Sequence, residues 1–208
     1  MDESNAHQEI VQKLEQSIDK AQDLVSDFDE RIITVQTIPW IVSKDLGTTL
    51  ENSKYIFLRK NSSKQIVFPS WTIDRHELYK GGVNPQWLLL GAIREFKEEL
   101  YDIIRVDVDN FIDVYPHLIF ENNDKKYIQF RLLAKIDPKY VIGLEKNFAQ
   151  AYERPASKIP EHDACYIASY GQALDLINTK QRTPKKSTHL SMIHHNIANK
   201  MWYYYHKI

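Results

Sequence analysis

Two runs of strand-forming residues, FIDVYPHLIF (111–120) and KKYIQFRLLAKI (125–136), flank the short polar stretch ENND. A pair of that kind closes as an antiparallel hairpin with a short loop. It commits the middle of the chain to β-structure and excludes an all-helical fold. RIITVQTIPWIV (31–42), KYIFLRK (54–60) and KQIVFPSW (64–71) are equally dense in β-branched and aromatic residues, and ACYIASY (164–170) reads as a further strand. Between the strand groups, Leu89, Ile93, Phe96 and Leu100 recur at helical spacing, with Asn84 placed to cap the helix and Pro85 suited to its first position. Strands outnumber the βα alternations of a doubly wound sheet. The expected class is therefore α+β or α/β, a mixed β-sheet sandwiched between helices.

The two ends add helices of opposite charge. Residues 8–30 place Val11, Leu14, Ile18, Ala21, Val25 and Phe28 along one face, with Ile32 continuing the seam. That seam suits docking on the chain's own domain or a homodimer contact. This end is rich in Asp and Glu, whereas residues 180–208 carry Lys and Arg and no acid. Residues 187–208 form a second expected helix, with Leu190, Ile193, Ile197 and Met201 on one stripe, and 171–179 a short one. Opposite charge favours packing of the two ends near each other. Residues 137–163 read as an extended loop with some local structure. The expected organisation is an amphipathic helix over 1–30, a domain over 31–180 and a basic helix packed on it over 181–208.

Composition narrows the function classes. The chain of 208 residues is 43% hydrophobic and 26% charged, as a globular protein is. Cys165 is the only cysteine, which excludes an intramolecular disulfide and a Cys-rich zinc site. No apolar run approaches membrane-spanning length, so no membrane partner is expected, and the polar start MDESNAHQEI is unlike a secretory signal. A cytoplasmic location is the default reading. The net charge of −1 argues against nucleic acid as a partner, although KQRTPKKSTH and the aromatic end NKMWYYYHKI keep RNA as a third reading.

Glu95, Glu98 and Glu99 share one helix at spacings i, i+3, i+4, so their carboxylates cluster. A helix C-terminus is the negative pole of its dipole, and carboxylates there repel it and one another. Solvation, pairing or a cation must compensate. Hard oxygen ligands at this spacing suit Mg²⁺, and a solvated acidic face is the plain alternative. Arg94 can reach Glu98 at i+4. The glycine pair Gly81-Gly82 before the helix lets backbone approach a ligand.

The stretch GGVNPQWLLLGAIREFKEEL (81–100) resembles the Nudix box of the Nudix hydrolases, a loop–helix–loop opening on glycine and carrying Arg-Glu-hydrophobic-X-Glu-Glu. Here that run is Arg94-Glu95-Phe96-Lys97-Glu98-Glu99. The box is shorter than the family's between Gly82 and Arg94, its usual loop glutamate is replaced by Pro85 and Gln86, and Tyr101 stands where a glycine is usual. The resemblance implies a hydrolase cleaving a diphosphate linkage in a nucleoside diphosphate derivative or nucleotide, using Mg²⁺ or Mn²⁺. It makes Glu95, Glu98 and Glu99 metal ligands, with the carbonyl near Gly82 as an accessory, and gives Arg94 the task of orienting them. It places a general base in the loop before the last strand, which offers Glu153 and Glu161, with Glu161 preferred. Arg59, Lys60, Arg75 and Lys80 are candidates to bind the phosphates of a small-molecule substrate. Trp40, Trp71, Tyr79 and Trp87 include candidates for base stacking or core. The alternative within the resemblance is a non-catalytic module that binds a nucleotide or an ADP-ribose-type ligand.

Overall fold

The structure, a computed structural model, describes residues 3–41, 53–62, 66–73, 82–153, 161–169 and 172. The class is α+β, as expected, with three α-helices and seven strands among the described residues. They fall into two compact units: Met1–Pro39 with Phe68–Ile136, and Trp40–Val67 with Asp137–Ile208.

In the first unit, β5 (Phe111–Asn122) and β6 (Lys125–Ile136) form the expected antiparallel hairpin. Asn122 faces Lys125, leaving Asn123 and Asp124 as a two-residue turn at φ 50° and 59°. Asn and Asp tolerate that left-handed backbone, which matches the twist of paired strands. The ladder slips between Tyr115 and Leu118, where Pro116 has no N–H to offer. The Pro116 carbonyl accepts instead from Nε of buried Arg131 at 2.9 Å, and from Nη2 as well. Strand β1 (Ile32–Ile41) neighbours β6, and it pairs antiparallel with β4 (Ser70–Thr72), Val35 opposite Trp71.

Helix α1 (Glu3–Leu24) lies on β5. Ile10, Leu14, Ile18 and Ala21 bury its apolar seam within this chain. Lys13 Nζ stands 3.4 Å from buried Asp113, and Ser17 Oγ lies 3.3 Å from His117 Nδ1. The helix stops at Leu24 rather than reaching residue 30; Phe28–Glu30 is a 3-10 turn. Asp23, Asp27, Asp29 and Glu30 would have crowded the negative pole of a longer helix. Asp27 instead accepts from Arg31 Nε at 2.7 Å and Lys126 Nζ at 2.5 Å, and these cations lower its pKa to about 2.

In the second unit, β2 (Lys54–Lys60) pairs antiparallel with β7 (His162–Ser169) along its length. The other edge of β2 takes the end of β1, Trp40 opposite Tyr55, and then β3 (Ile66–Val67), Val67 opposite Leu58. The single strand expected over KQIVFPSW is thus two, β3 and β4, interrupted at Phe68-Pro69. Proline cannot donate to a ladder; its carbonyl accepts the Thr37 N–H at 2.9 Å. A second correction concerns 137–163, which holds a helix, α3 (Leu144–Tyr152). It starts after Gly143 at φ 73°, buries Leu144 and Phe148 one turn apart against β7, and anchors the strand through Glu145 Oε1, which accepts the Ile167 N–H at 2.8 Å.

Arg75, Tyr79, Lys80 and Gly81 lie outside the described residues, as do the expected helix at 171–179 apart from Gln172, and the C-terminal helix. The expected pairing of the charged ends falls there too. No helix among the described residues is long and apolar enough to cross a membrane.

Candidate active site

The box residues occupy α2 (Pro85–Glu99), in the first unit. Asn84 caps it as expected, its Oδ1 accepting from the N–H groups of Gln86 at 2.9 Å and Trp87 at 3.2 Å. Leu88, Leu89, Ala92, Ile93, Phe96 and Leu100 are buried, so the apolar stripe anchors the helix. Gly82, just before it, is exposed at φ 93°. A Cβ there would meet nothing within 4 Å among the described residues, so it is the positive φ and not packing within the chain that requires glycine.

The helix ends in a complete Schellman arrangement. The Asp102 N–H donates to the Lys97 carbonyl at 2.7 Å and the Tyr101 N–H to the Glu98 carbonyl at 3.1 Å. Tyr101 and Asp102 both take left-handed backbone, at φ 52° and 56°. Tyr101 therefore holds the conformation that a glycine would adopt most easily, at a cost of roughly 1 kcal/mol. The last turn keeps its carbonyls satisfied while carrying Glu98 and Glu99.

The three glutamates differ in surroundings. Glu98 is exposed, while Glu95 and Glu99 are half-buried. Glu99 Oε2 accepts the backbone N–H of Ser70 at 3.1 Å. Glu95 Oε1 pairs with Arg94 Nη2 at 3.0 Å. The Arg94 guanidinium also lies over the Trp71 ring, 5.5 Å from the centroid, where a cation–π contact holds it. Trp71 also fills the space beside Gly91, whose hypothetical Cβ would fall 2.0 Å from a ring carbon. The Ser70 N–H and the Trp71–Gly91 contact were not anticipated. A glycine inside an apolar helix was their one sequence signal, because glycine there costs about 1 kcal/mol against alanine and marks close approach.

The remaining described candidates, Trp87 excepted, belong to the second unit. Arg59 Nε donates to Asp163 Oδ1 at 2.6 Å, and that carboxylate raises the guanidinium pKa. Glu161 is exposed; its carbonyl accepts the Asn61 N–H at 2.7 Å and its side chain stands 3.4 Å from Lys60 Nζ. Glu153 is the C-cap of α3. His162, beside Glu161, is buried, and burial pushes its pKa below 6.5. Trp40 is core, whereas Trp87 is exposed.

The donor set on α2 suits a hard divalent cation. It offers carboxylate oxygens alone, crowded at a negative helix pole, with one held in orientation by a backbone donor. No protein-family model and no curated protein sequence matches this chain. Among solved structures, it is similar to an Ap4A hydrolase from C. elegans at 12% identity, covering 81% of this chain and 99% of that one, with a TM-score of 0.46. It is similar to a mutT/nudix family protein from Listeria innocua at 14% identity, covering 82% and 96%, with a TM-score of 0.47. The NUDIX domain of Shewanella oneidensis NrtR, solved with ADP ribose, is similar at 9% identity over 70% and 77%, with a TM-score of 0.40.

Proposed function

We propose that this chain is a Nudix-type hydrolase that cleaves a diphosphate linkage in a nucleoside diphosphate derivative or nucleotide, with Mg²⁺ or Mn²⁺ held by Glu95, Glu98 and Glu99. The observation that carries the reading is the treatment of the glutamates. The chain keeps three carboxylates clustered on α2, two of them in its last turn at the negative pole, orients Glu99 with the Ser70 N–H and couples Glu95 to Arg94. A merely solvated acidic face needs no such orientation.

When bound, the cation would neutralise phosphate charge and lower the pKa of water. The carbonyl near Gly82 is an accessory donor in this reading. Glu161 accepts the proton of the attacking water; the new bond forms at phosphorus, and the bridging P–O bond breaks to give two phosphate products. Arg59, with Arg75 and Lys80, binds phosphate oxygens, and Arg94 orients the carboxylates. A second reading, a binding module for a nucleotide or ADP-ribose-type ligand without turnover, draws support from Arg59 and Glu161, which already engage Asp163 and Lys60.

A panel of nucleoside diphosphate derivatives and dinucleotides, incubated with Mg²⁺ or Mn²⁺ and assayed for released phosphate products, separates the two. We expect turnover that requires the metal and falls by about 10²-fold or more in Glu98→Gln. Tight binding of a panel member without turnover would replace the hydrolase with the module.

A further inference from the structure

Gly91, Glu95 and Glu99 sit at i, i+4 and i+8, one ridge of α2. Strand β4 meets that ridge at both ends. At Gly91 the Trp71 ring occupies the space of a side chain. At Glu99 the Ser70 N–H, one residue earlier in the strand, binds Oε2 at 3.1 Å. Between these points, the Arg94 guanidinium spans the Trp71 ring and Glu95 Oε1. Ser70 and Trp71 are themselves fixed in register opposite Gln36 and Val35 of β1.

We infer that β4 is a positioning brace for the metal-ligating face of α2. Trp71, seated on Gly91, sets the distance between strand and helix, and the Ser70 N–H then selects the orientation of the Glu99 carboxylate. The inference rests on the metal reading above. Ser70 and Trp71 are positioning residues, acting through Glu99 and Arg94. The brace explains why a glycine is kept in mid-helix: any larger residue would drive the ring away, and the neighbouring Ser70 N–H would leave hydrogen-bonding range of Glu99. A shift of about 1 Å in a ligand's supporting group is enough to weaken a site.

The test is Mn²⁺ binding to the full chain, read by electron paramagnetic resonance, with circular dichroism confirming the fold of each variant. Gly91→Ala is expected to weaken Mn²⁺ binding at least tenfold. Gly91→Ala combined with Trp71→Leu, which removes the obstructing ring, should recover a large part of the loss. Ser70→Pro removes the N–H that donates to Glu99 and should also weaken binding at least tenfold; it carries the test alone if Gly91→Ala does not fold. Unchanged affinity in folded Gly91→Ala or Ser70→Pro, or no recovery in the double variant, overturns the brace. Glu98→Gln is the control for the underlying reading. Absence of Mn²⁺ binding in the wild type, or equal binding in Glu98→Gln, overturns the metal site itself and with it the brace, whereas a weakened Glu98→Gln leaves the brace to be judged on its own variants.

Discussion

His117 reports on how single residues are placed. It is half-buried on β5, its ring 6.2 Å from that of Phe130 and its Nδ1 near Ser17 Oγ. Burial, then the charges of Arg131 and Lys20, hold its pKa below the ordinary 6.5. A folded pKa below the unfolded one means that the unfolded chain binds the proton more readily. Its contribution to stability is complete above pH 6.5 and is lost as pH falls through the folded value. Buried His162 has the same sign. The melting temperature should therefore drop on acidification below pH 6.5, and His117→Gln should make that drop shallower. Melts across pH 5.5 to 7.5 check this; an unaltered slope in the variant would remove His117 as a contributor. At this scale the sequence is legible only in part. Glu95, Glu98 and Glu99 announce themselves by spacing, because a helix converts spacing directly into a shared face. Ser70 does not, because its role lies in a backbone N–H that every residue except proline has. Tyr101 is similar: nothing in a tyrosine signals left-handed backbone, and only the closed helix end requires it.

Among elements, the hairpin β5–β6 and helix α2 could be read in advance because each carries a full period of its own signal. The hairpin has two long strands and a polar turn, and α2 has a cap, a proline and an apolar stripe. Helix α3 could not, since only Leu144 and Phe148 in its two and a half turns are buried, too few to show a helical period. Its stability must come from docking rather than propensity, as for most short helices. Phe148→Ala should thus cost about 3–5 kcal/mol in urea unfolding. It should also raise hydrogen exchange across 144–152 and in β7, whose Ile167 N–H depends on Glu145. A loss well under 1 kcal/mol with exchange unaltered would show that α3 is held by something other than this side chain. The break between β3 and β4 was written in Pro69 but could be taken for an edge position, because a proline tells where a ladder loses a donor and not which strands lie on either side.

At the scale of the whole molecule, a bound cation is linked to global unfolding, so stability can test the carboxylates without any substrate in hand. Metal-free, the two terminal glutamates of α2 should part company. Glu98 is exposed at the negative helix pole, so Glu98→Gln relieves repulsion and should leave the melting temperature level or slightly higher. Glu99 accepts a backbone N–H, so Glu99→Gln exchanges a charge-assisted hydrogen bond for a neutral one and should cost about 1 kcal/mol. With Mg²⁺ the ranking changes. A ligand at a hundred times its Kd stabilises the folded chain by about 2.7 kcal/mol, and a variant that binds tenfold more weakly gains about 1.3 kcal/mol less at the same concentration. Wild type should therefore rise most across a Mg²⁺ titration, with Glu98→Gln and Glu99→Gln both lagging. The opposite signs of their metal-free effects guard against reading a general loss of stability as a loss of ligand. Equal Mg²⁺ responses in all three proteins would leave the glutamates as a solvated acidic face, and the hydrolase reading would lose its foundation.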